Sequence, residues 1–229
     1  MKFKSILSTG VRGASLALLL FVCGATAWAQ GIIYVKPDPG IYYAPVPVTY
    51  NIDITGSGSP DFILVSDGVG GSFLYPQGGN TMIVAPLPDE FNVGTLVAAL
   101  NSGDSIGTDP SSLDPIFEWF GPTTGTLDYS AMGSQANFGG PIYATGYFVG
   151  KASAYIGFDL VRGGANYYGW MQVANPDLVN AGQIVDWAYE TTPNTPIFAG
   201  EVPEPATSGL TVLGAVVLLG SWKRLHKSC

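Results

Sequence analysis

The chain has 229 residues, with 9 Lys and Arg against 17 Asp and Glu, one His, two Cys, 31 Gly and 17 Pro. The central segment 30–202 holds three of the basic residues and sixteen of the acidic ones, a net charge of −13, with neither His nor Cys. That excludes a Ser-His-Asp triad, a Cys nucleophile and an ordinary zinc or copper site there, and so acidic a segment does not grip nucleic acid.

The same segment carries 12 Tyr, 9 Phe and 3 Trp, more aromatics than a disordered chain holds. One domain of this size buries roughly 70% of its unfolded surface, enough for a core without disulfides.

At the N-terminus, Lys2, Lys4 and Arg12 accompany an apolar run from Ala14 to Val22, and Ala27-Trp28-Ala29 follows as a small-x-small pattern. This layout predicts a secretory signal peptide over 1–29, exported by the Sec machinery and cut by signal peptidase between Ala29 and Gln30. The run is too short for a retained span of about 20 residues. Cys23 follows Phe21-Val22 rather than small residues, so lipoprotein processing is not expected.

Further on, Val48, Tyr50, Ile52 and Ile54 alternate with Thr49, Asn51, Asp53 and Thr55, which predicts a strand with one buried face. Strand-like runs continue at 61–66, 71–75, 80–85 and 145–150. Two more, 153–161 and 167–174, flank Arg162-Gly163-Gly164-Ala165-Asn166, which reads as a five-residue hairpin loop. The run 183–190 adds a strand with Val185, Trp187 and Tyr189 on one face. Between these, Val93, Leu96, Val97 and Leu100 fall at i, i+3, i+4 and i+7, with Asn92 as N-cap and Gly103 past the end. That spacing predicts one short helix covering an end of the fold. No βαβ rhythm appears, so the expected architecture is an all-β antiparallel sandwich, jelly-roll-like, in one domain over 30–200.

Three groups of residues are candidates for chemistry. The loop Asp53-Ile54-Thr55-Gly56-Ser57-Gly58-Ser59-Pro60-Asp61 alternates oxygen ligands with a Gly at its sixth position, like a calcium loop. Asp53 and Asp61 would supply charge, with Thr55 and Ser57 in place of further carboxylates. The closing bidentate Glu is missing, since Leu64 stands at that offset. A Gly- and Ser-rich β-turn capped by Asp61 explains the same residues and is the reading favoured here. The expected cofactor is therefore none, with weak Ca²⁺ binding as the alternative.

Second, Asp109, Asp114 and Glu118 precede Trp119, while Asp186 and Glu190 flank Trp187 and Tyr189. Paired carboxylates could serve a glycosidase, but an acidic surface on an exported domain explains them more simply. No catalytic residue is assigned. Third, Trp119, Phe120, Tyr167, Tyr168 and Trp170 could stack on sugar rings, with Trp119 and Tyr168 the leading pair. Core packing is the competing account for each, above all for Trp170 and Trp187. In Tyr42-Tyr43 and Tyr167-Tyr168, neighbours in a strand face opposite sides, so one of each pair is expected to be exposed.

At the C-terminus, an apolar stretch from Ala206 to Trp222 precedes Lys223, Arg224, His226 and Lys227. Seventeen helical residues reach roughly 25 Å, slightly short of a hydrocarbon core about 30 Å thick. Trp222 at the interface and local thinning allow a transmembrane helix over 206–222, its basic tail cytoplasmic. Just before it stands Val202-Pro203-Glu204-Pro205. Motif, apolar helix and basic tail together resemble the PEP-CTERM sorting signal over 201–229.

The resemblance implies a bacterial envelope protein whose tail is recognised and removed by an exosortase, with Pro203, Glu204, Pro205, Lys223 and Arg224 as sorting residues. It also implies an association with extracellular polysaccharide and biofilm. Two prolines keep the junction extended and open to a protease. The expected protein is thus an exported, non-catalytic matrix component, first held in the inner membrane and then placed at the cell surface or in the matrix. Its alternatives are a lectin-like carbohydrate-binding module and a glycoside-active enzyme.

Overall fold

The computed structural model describes residues 31–43, 46–67, 71–86, 95–121, 130–136, 143–148, 150–177 and 181–203. The expected signal peptide, with Ala29 and Gln30, lies outside these residues, as do Glu204, Pro205, Lys223, Arg224 and the apolar stretch 206–222. The chain is mostly β. Its strands are β1 (Ile32–Val35), β2 (Ile41–Tyr43), β3 (Pro47–Ile52), β4 (Phe62–Asp67), β5 (Gly71–Pro76), β6 (Thr81–Pro86), β7 (Thr95–Val97), β8 (Ser105–Ile106), β9 (Glu118–Phe120), β10 (Ser130–Ala136), β11 (Tyr143–Thr145), β12 (Ser153–Arg162), β13 (Ala165–Asp177), β14 (Ala181–Glu190) and β15 (Ile197–Phe198). A 3₁₀ turn, Pro110–Ser112, is the one helical element among the described residues.

Hydrogen bonding runs along the path β1-β14-β13-β12-β6-β7-β10-β5-β4-β3, with β2 beside β14, β9 beside β6 and β11 beside β10. All pairings are antiparallel except β7 with β10. No pairing joins β3 back to β1 among the described residues, so the sheet is not a closed barrel. Its two arms instead pack face to face. One core unites Ile52, Phe62, Leu64 and Leu74 from β3, β4 and β5 with Ile156, Phe158, Met171, Val173 and Trp187 from β12, β13 and β14. Phe62 and Phe158 meet across it with ring centroids 5.6 Å apart. This is an antiparallel, sandwich-like fold, and the strict in–out alternation of β4 is the sequence pattern that produces it.

A second core lies on the other face of the β14-β13-β12-β6 arm, built from Ile83, Ala98, Leu100, Ile106, Tyr168, Trp170 and Ala188. Segments around β8, β9 and β15 cover it. Trp170 and Trp187 are both buried, one in each core, as core packing requires.

The helix expected between Asn92 and Gly103 does not form over its described part, from residue 95 on. Thr95–Val97 is a strand beside β6, and Leu100 bridges to Tyr155. The reason is that both faces of this segment are covered. Val97 and Ala99 enter the first core while Ala98 and Leu100 enter the second. A strand buried on both sides reads as a continuous apolar run, and such a run also satisfies helical spacing.

Three smaller corrections follow from local geometry. The strand expected at 145–150 is displaced, since β11 ends at Thr145 and a turn begins at Gly146. The β12–β13 connection is two residues long rather than five. Arg162 pairs with Ala165, and Gly163 and Gly164 take the positive φ values, 58° and 81°, that a tight hairpin needs. In β14 a register shift between the pairs Gln172–Asp186 and Val173–Ile184 leaves Val185 outside the alternation, so Ile184 joins Trp187 in the first core.

Gly169 lies opposite Phe158 in the β12–β13 ladder, beneath its ring. A Cβ there would overlap the Phe158 ring and the Ala188 carbonyl. Gly169→Ala is expected to cost about 1–3 kcal/mol through overpacking, seen as a lower melting temperature. An unchanged midpoint would contradict this packing.

Candidate functional site

The site begins with the β3–β4 loop. Asp53 accepts the Ser57 N–H at 2.9 Å on one carboxylate oxygen and the Gly58 N–H at 2.6 Å on the other. Burial raises the Asp53 carboxyl, but N–H groups of Gly58, Ser57 and Gly56 and the Thr55 hydroxyl outweigh it, leaving the pKa below the ordinary value. Asp61, at 3% exposure, accepts both the Thr55 N–H at 3.0 Å and the Thr55 hydroxyl at 3.1 Å. Its other oxygen forms an ion pair with the Arg162 guanidinium.

Asp53, Thr55, Ser57 and Asp61 therefore do come together, as the sequence indicates, but as a self-capped turn. These residues do not fit Ca²⁺. Both carboxylates face N–H donors, and a guanidinium already stands against Asp61 where an ion would need an open oxygen. Among the described residues no cluster of three or more His, Cys, Asp or Glu side chains could hold a metal.

Asn80 completes the arrangement. Buried at 1% exposure, it accepts from the Val161 N–H and the Arg162 Nη1, each at 3.0 Å. Its Nδ2 donates to the Asp61 carbonyl at 3.1 Å. The node joins the β3–β4 loop, the β5–β6 turn and the β12–β13 hairpin.

Beside this node is a pocket of about 360 Å³. Thr55 and Ser57 line it from the loop, and Leu160, Arg162 and Tyr167 from the hairpin. Tyr189 and Thr191, at the end of β14, complete the lining. Leu160 is fully buried, whereas Ser57 and Thr191 are exposed. Burial, and then the Asp61 charge, raise the Tyr189 pKa, with Arg162 opposing, so its phenol stays protonated at neutral pH. The pocket thus offers two tyrosines and the Thr191 hydroxyl, with the hydroxyl oxygens of Thr55 and Ser57, whose hydrogens Asp61 and Asp53 hold.

Trp119 and Tyr168 also meet, their rings stacked at 5.9 Å and 22°. They belong to the second core, however, and Tyr168 is only 1% exposed. Trp119 Nε1 donates to the Gly107 carbonyl at 3.2 Å. Tyr168, buried in this way, presents no face to a ligand, while Trp119 is partly buried and packs against the same core. In the N-terminal doublet, Tyr42 is exposed, at 58%. Of the second doublet, Tyr167 is the partly exposed member, and it lines the pocket.

The other acidic candidates are held separately. Asp109 caps the 3₁₀ turn through the Ser111 N–H at 3.0 Å, and Asp114 accepts from the Ile116 N–H at 3.1 Å. Asp186 accepts the Tyr34 hydroxyl at 2.8 Å, and Glu190 the Thr192 N–H at 2.8 Å. Burial, followed by the bond to Asp186, raises the Tyr34 pKa to about 12.

Arg162, Asn80, Tyr189 and Thr191 were not singled out by the sequence. The available signal was Arg162 itself, one of three bases among sixteen acids and next to a Gly-Gly turn. No family model, curated protein or solved structure matches this chain.

Two predictions follow. Arg162→Ala leaves the Asp61 carboxylate buried without its cation, and is expected to cost about 1–3 kcal/mol in chemical denaturation. A stability equal to the parent's would refute the node. Asp159, at 5% exposure, is raised to about 6 by burial, with the Tyr167 N–H opposing. Below about pH 4 it is neutral in both folded and unfolded chains and carries no penalty. Between pH 4 and 6 the unfolded chain releases this proton first, so this group's contribution to stability falls by up to about 3 kcal/mol as pH rises. Asp159→Asn should therefore melt above the parent at pH 7.5, the difference shrinking as pH falls through that window. A pH-independent difference would reject the assignment.

Proposed function

We propose that this is an exported bacterial protein of the cell envelope or extracellular matrix, non-catalytic and associated with extracellular polysaccharide. On this reading residues 1–29 are a signal peptide removed by signal peptidase after Sec export. Residues 206–222 are a transient inner-membrane helix, and an exosortase removes the tail at Pro203-Glu204-Pro205. The sandwich between the two ends is jelly-roll-like, and it is the part that remains.

The observation that best supports this reading is how the domain ends. Ala199 is buried, and the Glu201 carbonyl accepts the Trp170 Nε1–H at 3.0 Å. Phe198 N–H and the Glu201 carboxylate close a small turn at 2.9 Å. Val202 and Pro203 then lie exposed immediately ahead of the rest of the motif. A processing enzyme needs an extended, accessible junction beside a domain that stays folded, and this arrangement offers one. A non-catalytic role agrees with Asp109, Asp114, Asp186 and Glu190, each of which supports the fold through its own hydrogen bonds.

Replacing Pro203, Glu204 and Pro205 together with Ala in the producing cell is expected to leave the uncut precursor in the membrane fraction. Normal trimming and release of that variant would overturn the sorting assignment.

A further inference from the structure

We propose that the pocket beside the Asp61–Arg162–Asn80 node binds a neutral pyranose ring of an extracellular glycan. The proposal rests on the matrix reading for the source of the glycan, and on the pocket alone for its chemistry.

Four observations carry it. The first is the lining. A pyranose has apolar C–H faces and a rim of hydroxyls that each donate and accept. Tyr167 and Tyr189 supply aromatic surface with a polar tip, Thr191 a hydroxyl that donates and accepts, and Thr55 and Ser57 hydroxyl oxygens that accept, their hydrogens held by Asp61 and Asp53. The second is size. At about 360 Å³ the pocket lies at the small end of ligand sites, which run from roughly 300 to 1,000 Å³, so it suits one or two rings and not a large cofactor.

Charge is the third. Arg162 is the only cation in the lining, and its charge is balanced by its ion pair with Asp61. The surrounding segment carries −13, so an anionic sugar would be repelled on approach and find no uncompensated positive charge on arrival. That selects a neutral ring over a uronate or phosphate.

The fourth is pre-organisation. Thr55 is fixed through its N–H and hydroxyl by Asp61, and Ser57 through its N–H by Asp53. The loop is therefore already ordered before a ligand arrives, which lowers the entropic cost of binding. The Asp53–Asp61 loop, read from sequence as metal-binding or merely a turn, serves here as one wall of a sugar site.

The test uses the full chain in detergent micelles, titrated calorimetrically with maltotriose, cellotriose, mannotriose and galactotriose, and with trigalacturonate as the anionic counterpart. At least one neutral trisaccharide is expected to bind saturably, and trigalacturonate is expected not to. Tyr189→Phe should weaken that binding about fivefold by removing one hydrogen bond. Thr191→Trp, a change at an exposed position, should block the pocket and abolish binding with the melting temperature unchanged. Tyr42→Ala, on a different surface, should leave binding intact. The site is overturned if no neutral trisaccharide binds at millimolar concentration, if Thr191→Trp binds like the parent, or if trigalacturonate alone binds. Failure of the sorting test with binding intact would remove the export reading and not this one. Correct sorting without binding would do the reverse.

Discussion

The contact among Arg162 and the buried Asp61 and Asn80 links three connections that are far apart in sequence. Asp61 closes the β3–β4 loop, Asn80 follows the β5–β6 turn, and Arg162 ends β12. Hydrophobic packing brings the two arms of the sheet together but is non-directional, so it does not by itself set how their ends align. A carboxylate that must face a guanidinium, with an amide satisfying both neighbours, admits few arrangements. The pocket beside the node inherits its shape from that alignment, because one wall comes from each arm.

How much of this was readable in the sequence depended on how each strand is covered. Where one face is buried and the other wet, as in β3 and β4, the alternation of Val48, Tyr50 and Ile52 or of Phe62 and Leu64 reads directly as strand. The hairpin partners β12 and β13 are covered on both faces over much of their length, and the Gly163-Gly164 turn between them made them legible instead. Residues 95–100 were not, because two cores claim both faces and the resulting apolar run mimics a helix. The short strands β8, β9 and β15 carry too few residues for any period to show, so the whole layer over the second core went unanticipated.

The site was legible only by halves. Composition and spacing marked Asp53, Thr55, Ser57 and Asp61 as a unit, and they are one. The sequence could not tell whether Asp61 would meet a metal ion or a side chain, since Arg162 lies 101 residues away. The aromatics showed the same limit. Trp119 and Tyr168 do touch, with Tyr168 buried, and Tyr167 at the pocket differs from Tyr168 only in which face of β13 it occupies. One residue of register separates a binding surface from a core.

The pairing of β1 with β14 has a consequence for timing. Ile32 lies opposite Glu190, so the first strand of the domain finds its partner only after nearly all of the domain has been made. The second core closes later still, since Ile197 and Ala199 belong to it. A domain wired in this way has high contact order and folds slowly, with its ends joined last. On the proposed export route, such a chain would stay threadable while it crosses the membrane and would acquire its structure on the far side. Slow closure, ordinarily a hazard, is then the property that keeps folding from competing with passage.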